Sequence, residues 1–115
     1  RERNMAYYQR KQDVNEIAAG NGHGSFPLLG EKQGCTNGCC AGISYYSRTE
    51  YTPPAVHEDQ EGFMVLSGQG WAKIGEEEFF VEQGTAFIAP EGMPHQMKSA
   101  DSGEPLTLFW FHAQP

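Results

Sequence analysis

Two histidines and one glutamate are the residues of this chain best suited to chemistry. His57 and Glu61 bound the run His57-Glu58-Asp59-Gln60-Glu61, and His95 closes a stretch that begins at Gly84 and passes through Pro90, Gly92 and Pro94. Imidazole nitrogens and a carboxylate bind divalent transition metals, and two of the first with one of the second form a facial triad with open positions. Alternate residues of an extended strand share a face, so Ala55, His57, Asp59 and Glu61 would point one way if that segment were regular. Pro90-Glu91-Gly92-Met93-Pro94 reads as a rigid turn whose prolines set the entry of the next strand and carry His95 across to His57. Glu58 reads as part of a solvated acidic loop. His23, in a glycine-rich turn, and His112, near the C-terminal end, read as surface residues, although His112 could sit near the mouth of a barrel.

The elements that must position these groups are short strands. Ser25 to Leu29, Ile43 to Ser47, Phe63 to Leu66, Trp71 to Ile74, Glu78 to Val81, Thr85 to Ala89, His95 to Lys98 and Leu106 to Phe111 are β-prone runs. Turn signals such as Ser67-Gly68-Gln69-Gly70 and Gly75-Glu76 separate them at intervals of about 8–12 residues, the rhythm of a sandwich or barrel. No amphipathic helix stands out. The expected fold is all-β, a single-domain jelly-roll barrel spanning residues 18–115, preceded by an extended N-terminal arm, residues 1–17, whose first five residues read as a frayed end.

Composition narrows the partners. The chain of 115 residues is 38% hydrophobic and carries a net charge of −7 with 8 Lys and Arg. Too few cations exist for a phosphate-binding surface, so nucleic acid is excluded. No apolar run approaches the ~20 residues of a membrane helix. Cys35, Cys39 and Cys40 are an odd set with no zinc-site spacing, which predicts free thiols and a reducing cytoplasm. Adjacent aromatics at Phe79-Phe80 and Phe109-Trp110-Phe111 require that one member of each face outward, and outward aromatics predict a homodimer.

At these residues the chain resembles the cupin superfamily. Its first motif places glycine, His-x-His, glutamate and glycine in order; read backward from Gly68, Glu61 stands at the glutamate and His57 at the second histidine. The second motif is met at Gly84, Pro90, Gly92 and His95, and Leu106 to Phe111 is similar to the usual closing strand. The resemblance implies a double-stranded β-helix holding a divalent metal, usually through three histidines and one glutamate. Three positions depart from the pattern: Thr49 replaces the opening glycine, Ala55 the first histidine, and Ser99 the closing asparagine.

Three readings of the site stay open. His57, Glu61 and His95 alone could hold Fe, Mn, Ni, Zn or Cu. Asp59 or Tyr51 could add a fourth ligand. Or the barrel binds an organic ligand without metal, its metal site degenerate. Under the first two the protein would be a small-molecule oxygenase, isomerase or lyase of open reaction class, with Tyr45, Tyr46 and Gln96 as candidate pocket groups. Under the third it is a non-catalytic small-molecule-binding module. A thiol-based redox role through Cys39 or Cys40 is a further expectation.

Overall fold

The computed structural model describes residues 6–115, so the expectation of a frayed end falls outside the described residues. Two 3-10 turns, Lys11–Asp13 and Glu31–Gln33, are the helical elements described, and no helix is long and apolar enough to cross a membrane. Nine strands follow in chain order: β1 Ile17–Gly20, β2 His23–Leu29, β3 Cys40–Tyr46, β4 Gln60–Ser67, β5 Gly70–Ile74, β6 Glu77–Val81, β7 Ala86–Ala89, β8 His95–Ser99 and β9 Leu106–Ala113. They form an antiparallel six-stranded sheet in the order β1-β2-β3-β9-β4-β7 and a three-stranded sheet in the order β6-β5-β8. This is the jelly-roll fold expected.

Strand alternation builds the core between the two sheets. On β4, Phe63 and Val65 are buried while Met64 and Leu66 are exposed; on β9, Leu106 and Leu108 are buried. These pack with Tyr46, Ala72, Val81 and Met97 in one apolar cluster, and Phe79, Phe87 and Trp110 lean against it. Removing a leucine-sized side chain from water contributes roughly 1.5–3 kcal/mol, so this stripe outweighs most surface interactions. Of the adjacent aromatics, Phe80 and Phe111 are the exposed members.

Strand β1 has no counterpart among the expected strands. Its residues are small and exposed, with little β-propensity beyond Ile17. The hairpin forms because Asn21 and Gly22 both adopt left-handed φ, 54° and 70°, which turns the chain into β2. Ser99 also has a structural explanation. Its buried hydroxyl lies 2.7 Å from the carbonyls of Asp101 and Glu104 and accepts from the Asp101 N–H, closing the loop between β8 and β9.

Candidate metal centre

Each inward stripe of the core ends on a polar residue at the same end of the barrel. Glu61 precedes Phe63 and Val65 on β4, His95 precedes Met97 and Ser99 on β8, and His112 follows Leu106, Leu108 and Trp110 on β9. The same two-residue period that buries the leucines therefore points these side chains inward. His57 arrives from the segment before β4. Backbone bonds hold it there: Gly92 N–H donates to the His57 carbonyl at 2.8 Å, while Ala55 and His95 exchange N–H···O bonds of 3.0 and 2.9 Å. The proline-bounded turn is thus tied directly to the histidine segment, as its sequence suggests.

The side chains converge on one carboxylate. His57 Nε2 lies 3.2 Å and His95 Nε2 3.3 Å from Glu61 Oε1. One donor atom from each of His57, Glu61 and His95 falls within 4.8 Å of the others, among the described residues. Glu61 and His95 are buried at 9% and 5% exposure, whereas the His57 side chain is 40% exposed and leaves one side of the group open. A buried carboxylate needs partners that carry positive charge or donate. Here they are imidazoles, the donor set that suits a divalent transition metal. The buried Nδ1 of His95 makes no hydrogen bond, so Nε2 is the one anchored edge of that ring.

The other two histidines, expected at the surface, belong to the same cavity. A cavity of about 240 Å³ is lined by His23, His57, His95 and His112 together with Glu61, Ala55 and Tyr46. His23 stacks on Tyr46 with centroids 4.2 Å apart, and its Nδ1 sits 3.1 Å from the Tyr45 carbonyl. His112 Nδ1 lies 3.0 Å from both carboxylate oxygens of Asp59, and its Nε2 lies 3.5 Å from Glu61 Oε2. The signal that could have found His112 is its place in the β9 stripe, two residues beyond Trp110 and four beyond Leu108.

Other candidates face elsewhere. Tyr51 donates to Glu78 at 2.5 Å, and Tyr45 donates to Glu16 at 2.5 Å on the outer face. Gln96 donates to the Thr52 carbonyl. Of the three pocket guesses only Tyr46 lines the cavity, and burial pushes its phenol well above the usual tyrosine value, with the Glu61 charge adding to the effect. The three cysteines are free. Burial raises the Cys40 thiol, and the charges of Asp59, Cys39 and Glu61 raise it further, which moves it away from a reactive thiolate.

Comparison with known proteins agrees with this architecture. Residues 45–112 match the family model described as Cupin domain. Among curated proteins, none matches the chain. Among solved structures, the Schizosaccharomyces pombe Cnp3 cupin domain is 18% identical over 92% of this chain and 68% of that chain, with a TM-score of 0.75. The polyketide cyclase RemF from Streptomyces resistomycificus is 21% identical over 93% of this chain and 80% of that one, with a TM-score of 0.75. Iron(II)-bound HppE is 15% identical over 91% of this chain and 58% of that one, with a TM-score of 0.74. At these identities the likeness is one of fold.

Proposed function

Because the chain belongs to the cupin domain family, we propose that it is a metal-dependent enzyme acting on a small molecule, with His57, Glu61 and His95 as the protein ligands. The observation that carries this reading is the convergence of two imidazole Nε2 atoms on one buried carboxylate oxygen at 3.2 and 3.3 Å. Two donors sharing one ion at ~2.1 Å stand ~3.0–3.4 Å apart, so the spacing fits a common ion. The ion is Fe, Mn, Ni, Zn or Cu, since no thiolate enters the group and oxygen and imidazole donors serve all five. When bound, such an ion supplies a Lewis acid or an oxygen-binding centre. The protein holds the donors on the rigid ends of β4 and β8, and the exposed edge of His57 leaves room for a substrate in the cavity. The reading is supported by two proteins of the same fold, HppE, which binds iron(II), and RemF, a polyketide cyclase.

The competing reading is a barrel that binds a small molecule without metal. Ala55 favours it, because a methyl group stands where a donor is usual and lines the same cavity. Elemental analysis of protein purified without tag or chelator, beside the His57→Ala/His95→Ala double variant, separates the two. Near-stoichiometric metal in the parent and none in the variant supports the metalloenzyme. Absence of metal from both, after reconstitution with all five ions, sinks it. Saturating metal at about 100 times Kd should also stabilise the parent by ~2.7 kcal/mol, a shift of roughly 10–20 °C in Tm.

The setting is proposed to be the cytoplasm, consistent with three unpaired cysteines, and the protein is proposed to work as a homodimer. Phe111, Gly62 and Ile88 lie in one row across β9, β4 and β7, with Met64 beside them, and Phe111, Ile88 and Met64 are 40%, 46% and 39% exposed. A contiguous apolar row on an acidic protein fits an interface between two copies.

A further inference from the structure

We infer that His112, aimed by Asp59, is a further ligand of this centre and replaces from the last strand the donor that Ala55 lacks. The inference rests on the reading of His57, Glu61 and His95 as metal ligands.

Register brings the two side chains together. β4 and β9 pair antiparallel with Glu61 directly opposite His112. Residues directly opposite in such a pair share a face with their Cβ atoms about 4.5–5.5 Å apart, so both side chains must enter the same end of the barrel. The tautomer follows from the neighbours. A carboxylate accepts, and both Asp59 oxygens lie 3.0 Å from His112 Nδ1, so Nδ1 carries the proton and donates it. The ring is thereby held with Nε2 turned toward Glu61.

His112 Nε2 faces Glu61 Oε2 at 3.5 Å. Carboxylate, Nδ1–H and Nε2 aimed at the ion is the arrangement by which outer groups fix metal-binding histidines. Glu61 thus has imidazoles on both oxygens: His57 and His95 face Oε1, and His112 faces Oε2. The His57 ring centroid lies 5.2 Å from that of His95 and 5.1 Å from that of His112. Ala55 contributes only a methyl to the cavity wall, so nothing on that side competes with the fourth donor.

The test counts imidazoles on a bound ion. The parent, His112→Gln and Asp59→Asn are loaded with Cu(II) and examined by electron spin echo envelope modulation, which reports the remote nitrogen of each coordinated ring. Three imidazoles in the parent and two in His112→Gln are expected. Asp59→Asn should weaken Zn(II) binding about tenfold or more, because the ring loses its aim. Circular dichroism of the metal-free forms shows whether each variant folds. Two imidazoles in the parent, unchanged in His112→Gln, would overturn the inference while leaving the three-residue centre standing. A parent that binds no ion would overturn both.

Discussion

Ala55 and His95 face each other across an isolated antiparallel bridge, each donating its N–H to the other's carbonyl at 3.0 and 2.9 Å. Paired residues in such a bridge send their side chains to the same side, so the Ala55 methyl points where His95 points. A longer side chain at position 55 would therefore start on the same side as His95.

Ala55→His should place an imidazole beside His95 with little backbone change. Metal affinity, measured by competition with a chromophoric chelator, is expected to rise about tenfold or more, equivalent to ~1.4 kcal/mol. An unchanged affinity would mean that the added ring turns away from Glu61.

Gly42 on β3 is a point of close approach. A Cβ there would come within 2.6 Å of both the Phe26 carbonyl oxygen and Trp110 Cζ2. The carbonyl belongs to the β2–β3 pairing and cannot yield without disturbing it. Gly42→Ala should lose about 1–3 kcal/mol in urea unfolding, the usual cost of overpacking. A loss under half of that would show that Trp110 simply rotates aside.

Alkaline stability should depend on Tyr46. Burial raises its phenol in the folded state, and the nearby Glu61 charge acts in the same direction. The folded protein therefore keeps a proton that the unfolded chain releases near the usual value of ~10. The resulting stability is present below that pH and is lost as pH rises above it, because the folded form then binds more protons than the unfolded one. A titration followed at 295 nm should show the Tyr46 phenolate only as the protein unfolds, and Tyr46→Phe should remove that late component. Reversible Tyr46 ionisation in folded protein near pH 10 would contradict this.

The outer row of Phe111, Gly62 and Ile88 predicts association. Light scattering after size exclusion should give a dimer mass for the parent and a monomer for Phe111→Glu/Ile88→Glu, with near-native circular dichroism. A monomeric parent at micromolar concentration would remove the dimer from the proposal.

Much of the fold could be read locally. Phe63 to Leu66 and Leu106 to Phe111 announce strands because short apolar runs of aliphatic and aromatic residues, bounded by turn residues, suit a pleated sheet. The strand Ile17–Gly20 left no such mark, since an exposed edge of small residues has nothing to alternate. Tyr45 and Tyr46 differ for the opposite reason: adjacent residues face opposite sides, and only the fold decides that Tyr46 faces the cavity and Tyr45 reaches Glu16.

The sequence alone determined the identity of His57, Glu61 and His95 as a group, because glycines and prolines at fixed offsets shape the turns that present them. Tertiary structure decided that His112 and Asp59 meet beside Glu61. Those two residues are 53 positions apart and meet only because β9 pairs with β4 in a register that sets His112 against Glu61. Local periodicity assigns each side chain a face of its strand. The partner across that face is chosen by the packing of the whole barrel, where a one-residue slip would send every one of these groups to the other side.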